Sequence, residues 1–157
     1  MALTKIISGG QTGVDRAALD AALAANLPCG GWCPADRKAE DGPIPDRYPM
    51  SLMANSGYRE RTLKNVQVSD GTAILFNQSL SGGTKLTRDM CIREKKPFIV
   101  LDATQITVER AVKAVLRFIG EHEISTLNVA GPRLSGWADG YQFALAVIGG
   151  VIRGGTL

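Results

Sequence analysis

Lys5-Ile6-Ile7-Ser8 is a short apolar run, and behind it stand Gly9, Gly10 and Gly13 before a helix-forming stretch at 17–25. This order predicts a buried strand that turns sharply through glycines and enters a helix. Without a Cβ the backbone can approach a ligand closely, and a helix N-terminus offers unpaired N–H groups and a positive dipole end to an anion. Gly9, Gly10, Gln11, Thr12 and Gly13 are therefore candidate phosphate contacts, and a valine at Gly10 is expected to abolish binding while sparing the fold. Asp15 is placed to take a ribose hydroxyl or a cation, and Arg16 to meet an anion unless surface acids claim it. The spacing fits neither G-x-G-x-x-G nor G-x-x-x-x-G-K-[ST], which argues against the usual dinucleotide and NTPase loops.

The rest of the chain alternates in the same way. Further strands are expected at 28–33, 72–76, 98–101 and 127–130, and helices at 58–66, 84–95, 107–119 and 141–152, with Thr107 as an N-cap. A long turn-rich segment with four prolines occupies 34–55. Alternation of this kind predicts one α/β domain over 1–157, a doubly wound and mainly parallel sheet of about five strands flanked by helices. Glycines again follow strand ends: Gly82 and Gly83 after 72–76, and Gly131 and Gly136 after 127–130, with Pro132 and Arg133 between them. In an open parallel sheet these loops leave on one edge and meet at the topological switch point. Gly82, Gly83 and Thr84 repeat the logic of the first loop, so a phosphorylated small molecule is the expected ligand. Lys85 is either a further charge for it or a solvated residue of the helix's first turn.

Composition removes other classes. The 157 residues are 45% hydrophobic and 21% charged, with a formal charge of +3 that is too small and dispersed for nucleic acid. No 18-residue apolar run and no leader pattern is seen, so no membrane association is expected and a cytoplasmic location is. Cys29, Cys33 and Cys91 are read as reduced thiols, and with His122 as the only histidine neither a zinc site nor a histidine-based triad is expected. No metal ligated directly by protein is expected.

Trp32 is read either as a stacking surface for a heterocycle or as core, and Gly42-Pro43-Ile44-Pro45 as a rigid turn that covers the crevice or the sheet edge. Asn65 and Asp70 are expected to hold loops by side-chain to backbone hydrogen bonds. The run Phe143-Ala144-Leu145-Ala146-Val147-Ile148 is apolar enough to suggest a homo-oligomer.

Taken together, "IISGGQTGVDRAALDAAL", "GGWCP", "AEDGPIPDRYP", "RTLKNV", "SDGTAILF", "SGGTKLT" and "LNVAGPR" resemble the circularly permuted YpsA-like branch of the SLOG superfamily, long labelled molybdenum carrier proteins. The resemblance runs from Lys5 to about Arg133 with the motifs in the same order. It implies a Rossmann-like fold that binds a nucleotide or nucleotide-like molecule, traditionally the molybdenum cofactor, a pterin (molybdopterin) bearing a phosphate. The same superfamily contains phosphoribohydrolases related to the cytokinin-activating LOG enzymes. Their pattern of an Arg nine residues before an Asp is matched by Arg61 and Asp70, which the resemblance adds to the candidate ligand residues. Their loop glutamate is not matched, because Thr87 stands in its place. Binding is therefore expected over N-glycosidic cleavage, unless Asp15, Glu40, Asp41 or Asp89 supplies a carboxylate from another direction.

Overall fold

Every residue of the segment Gly71–Phe76 is buried, which is the signature of a strand covered on both faces. The structure is a computed structural model and describes residues 3–54 and 57–154. In chain order the elements are β1 (Lys5–Ile7), α1 (Val14–Ala24), β2 (Cys29–Gly30), β3 (Trp32–Pro34), β4 (Lys38–Ala39), β5 (Gly42–Pro43) and β6 (Ser51–Met53). There follow α2 (Tyr58–Val68), β7 (Gly71–Phe76), α3 (Gly82–Arg93), β8 (Phe98–Asp102), α4 (Val108–Glu121), β9 (Thr126–Ala130) and α5 (Gly140–Ile152).

Five strands form the central sheet in the order β2-β1-β9-β7-β8, and every pairing in it is parallel. Alternate sheet residues Ile6, Ala73, Leu75, Leu127 and Val129 join α1, α4 and α5 in the main core, while Val66 of α2 and Met90 and Cys91 of α3 form a second core with Phe98 packed against it. The fold is thus the Rossmann-like, doubly wound α/β arrangement. Thr107 caps α4 by accepting the Arg110 amide at 3.3 Å. His122 is the C-cap of that helix, exposed, with its ring 5.0 Å from that of Phe118.

Two expectations need correction. The strand expected at 28–33 is two strands, because Gly31, at φ +126°, breaks it; β2 stays in the central sheet, whereas β3 leaves to pair with β6. The turn-rich segment is built around short strands, with Ile44 and Tyr48 buried together with Leu19 of α1; its last residue, 55, lies outside the described part. Of the apolar run in α5, Ala144, Val147 and Ile148 are fully buried against α1 and α4, Phe143 and Leu145 are half-buried and Ala146 is exposed. Tyr141 of α5 and Tyr48 both donate to Asp20 of α1, at 2.5 and 2.6 Å, which ties the segment, α1 and α5 together.

The three cysteines carry free thiols, and no cluster of metal-ligating side chains occurs among the described residues. No helix among them is long and apolar enough to cross a membrane.

Candidate functional site

The loops after β1, β7 and β9 leave the C-terminal edge of the sheet side by side and enclose a cleft of about 630 Å3. That is the topological switch point, since the chain turns from β1 toward β2 and from β7 toward β8. Its volume falls within the usual range of small-molecule sites, about 300–1,000 Å3. Of the sequence candidates, Gly9, Gln11, Asp15, Arg61, Gly82, Gly83, Thr84, Gly131, Pro132 and Arg133 line it.

The other candidates lie elsewhere, and for identifiable reasons. Gly10 sits under the 34–53 segment, where a Cβ would come within 2.9 Å of Ile44 and 3.2 Å of Met50. A valine there is therefore expected to disturb packing, not to fill the ligand's space. Thr12 gives its hydroxyl to Glu40 and accepts the Leu134 amide, and a Cβ on Gly13 would be 2.7 Å from the Pro132 carbonyl. Arg16 makes a two-pronged pair with Asp41 at 3.0 and 3.2 Å and donates to the Gly10 carbonyl. Asp70 is at the opposite edge of the sheet, where it accepts the Ser125 and Thr126 amides at 3.0 and 2.8 Å. Asn65 likewise clamps the backbone of Trp32 from both sides, and Lys64, not a cleft, lies over the Trp32 ring.

The amides of the first loop are occupied. Gly10 donates to the Ser8 hydroxyl, Gln11 to the Asp15 carboxylate and Thr12 to the Gln11 side chain, at 3.0–3.3 Å. The N-terminus of α3 differs: Ser81 makes no side-chain cap, no acidic residue stands in the first turn, and the Gly82, Gly83 and Thr84 amides have no intrahelical acceptor. Gly82 adopts φ +53° with open space beside its Cα, while Gly83 clears room for the Tyr58 hydroxyl, which would stand 2.0 Å from a Cβ. The first turn of α3 thus presents open amides to the cleft.

Facing it is one side of α2. Tyr58, Arg61, Thr62 and Asn65 stand at i, i+3, i+4 and i+7, so all four reach the cleft. The Arg61 side chain is only 7% exposed, and its Nε has no hydrogen-bond partner. Its guanidinium rests on the Tyr58 ring at 4.5 Å and passes where a Gly9 side chain would be, its Nη1 1.7 Å from the position of a Cβ. The nearest acid, Asp15, is 4.0 Å away, too far to bond. Burial pushes the Asp15 carboxyl up to about 6, against the opposing pull of Arg61 and the Gln11 amide.

That shift carries a sign. A carboxyl raised in the folded state takes up protons more readily there than in the unfolded chain, so its contribution to stability falls as pH rises from about 4 to about 6. Asp15→Asn is expected to remove this component: relative to the unaltered protein it gains roughly 2–3 kcal/mol at pH 7 and loses the advantage near pH 4. Urea melts of both proteins at several pH values measure it, and a constant difference across that range contradicts the assignment.

Of the acids that might have replaced a loop glutamate, only Asp15 faces the cleft. Glu40 is held below the usual carboxylate range by the Thr12 and Ser135 hydroxyls, Asp41 by Arg16, and Asp89 by Arg88 and Lys85. Thr87 lines the cleft and donates to the Gly83 carbonyl at 3.0 Å. Sequence reasoning missed Tyr58, Thr62, Asn77, Gln78, Ser79 and Asn128, which also line it. The helical spacing from Arg61 could have found the first two, and the polar run directly behind a largely apolar strand the next three. Asn128, inside a strand, donates to Thr72 across the sheet and had no such signal.

Comparison with known proteins agrees with this architecture. The model of the circularly permutated YpsA SLOG family matches residues 6–152. The crystal structure of the "Putative molybdenum carrier protein" from Syntrophus aciditrophicus SB is similar at a TM-score of 0.93 and 43% identity, over 96% of this chain and 95% of that one. No curated protein matches this chain.

Proposed function

Since the chain belongs to the circularly permutated YpsA SLOG family, we propose that it is a binding protein for a phosphorylated heterocyclic small molecule, a nucleotide or a pterin. One observation carries this reading: a buried arginine with an unbonded Nε faces a cleft whose other wall is an uncapped helix N-terminus. A buried guanidinium whose Nε is unbonded and whose nearest carboxylate is 4.0 Å away is costly, and an anion in the cleft reduces that cost. The phosphate would take the Gly82–Thr84 amides and Arg61, and the hydrogen-bonding groups of Asn77, Gln78 and Ser79 would face the heterocycle or sugar. The name of the similar Syntrophus protein directs attention to the molybdenum cofactor as cargo. Its phosphate suits these groups, and its metal needs no protein ligand.

Native mass spectrometry of the purified protein, followed by calorimetry with adenosine and guanosine monophosphates and a phosphorylated pterin, tests the proposal. A co-purifying phosphorylated heterocycle, or micromolar binding of one of these, is the expected result. A bound phosphate located away from both Arg61 and the α3 N-terminus would overturn it.

Hydrolysis is the second reading, favoured by the position of Asp15 beside Arg61 on the cleft. Its measurement is release of free base from the two monophosphates. Rapid release that vanishes on Arg61→Ala would make the protein an enzyme; slow or absent release, with a trace gained on Thr87→Glu, keeps it a binder.

A further inference from the structure

We infer that the ligand carries an organic group on each side of its phosphate, as in a phosphodiester or a pyrophosphate-bridged nucleotide. The inference rests on the anion site proposed above. Arg61 does not close one end of a cavity but stands between two. Beyond it lies a second pocket of about 300 Å3, which shares Gln11, Tyr58, Arg61 and Arg133 with the main cleft. The two spaces therefore meet at the guanidinium and at the tyrosine ring on which it rests.

Their linings differ in chemistry. On the main-cleft side stand hydroxyl and amide side chains, among them Thr62, Asn77, Gln78 and Thr84, suited to a sugar and the polar edge of a base. The second pocket offers the apolar surfaces of Pro34 and the Tyr58 ring and the edge of the largely buried Ala39, with Lys38 beside them and Asp36, whose carboxylate accepts the Lys38 amide. Glu40, which also lines it, does not present a free charge: its carboxylate accepts from the Thr12 and Ser135 hydroxyls and the Ser135 amide and faces Arg133 at 3.7 Å. A neutral, flat group fits there. A phosphate monoester held at Arg61 has one organic substituent and occupies one space, whereas a bridging phosphate or pyrophosphate fills both.

Calorimetry of the unaltered protein with adenosine monophosphate and with its pyrophosphate-bridged dimer, diadenosine diphosphate, is the test. The dimer is expected to bind at least about tenfold tighter. Lys38→Glu, which sets a carboxylate on the exposed wall of the second pocket, is expected to remove that gain. Amide hydrogen exchange of the unaltered protein reads the same contact without a mutation: residues 36–40 exchange more slowly with the dimer than with the monophosphate. Equal affinities, or a gain accompanied by no protection at 36–40, overturn the inference while leaving the anion site standing. Failure of both nucleotides to bind overturns the anion site and the inference with it.

Discussion

Arg61→Ala is expected to weaken binding of a phosphorylated ligand by about 10- to 100-fold, which is the value of one charge-assisted hydrogen bond of about 1.5–3 kcal/mol. Among the described residues, no other buried cation faces the cleft. Arg133 is largely exposed and turned toward Glu40, and Lys85 is engaged with Asp89 on the surface. Arg61→Lys is expected to recover part of the affinity, because a lysine keeps the charge but not the planar array of donors. The substitution also leaves Asp15 buried without its cation, so the carboxyl is expected to titrate above 6 in Arg61→Ala. The double variant Arg61→Ala, Asp15→Asn separates the two effects. If the loss reflects the missing cation, the double variant binds as weakly as Arg61→Ala; if repulsion by Asp15 caused it, affinity returns. Titration calorimetry at pH 7 distinguishes them, and an unchanged affinity in Arg61→Ala would remove the residue from the site.

Gly31→Ala is expected to leave little folded protein, with a loss of more than about 4 kcal/mol. The residue lies at φ +126°, and an added Cβ would meet the Ser8 carbonyl oxygen at 2.0 Å and the Ser8 nitrogen at 2.9 Å. Those atoms belong to a backbone already held in the sheet, where the Ser8 amide donates to the Gly30 carbonyl, so nothing flexible can move aside. Gly42 is the control. It also has a left-handed backbone, φ +107°, but nothing lies within 4 Å of its Cβ position, so Gly42→Ala costs only conformational strain of about 1 kcal/mol. Thermal and urea melts of the two variants make the comparison, and equal losses would mean that the close approach at Ser8 is unimportant.

The glycines illustrate how far the sequence could be read. That Gly9, Gly82, Gly83 and Gly131 follow strand ends is visible in the order of residues, and a parallel sheet then brings their loops to one edge. The family motifs pointed to the same place, and Arg61 was found through them. The reasons differ from glycine to glycine, however, and these were not legible. Gly9 makes room for the Arg61 side chain and Gly83 for Tyr58; a Cβ on Gly131 would be 2.4 Å from the Leu75 carbonyl, and Gly10 packs beneath Ile44.

Local order along the chain therefore determined the alternation of strands and helices, the parallel sheet and the edge on which the cleft lies. Hydrophobic periodicity and glycine placement act within a few residues, which is why they can be read directly. Only the tertiary structure decided which polar groups remain free to bind. The first loop spends its amides on Ser8, Gln11 and Asp15, and Glu40 and Asp41, more than twenty residues away in sequence, take up Thr12 and Arg16. The Arg61 Nε and the first turn of α3 are left without such partners. Hydrogen-bond satisfaction is a competition among groups that meet only after folding, so a motif can name the donors but not say which of them stay open.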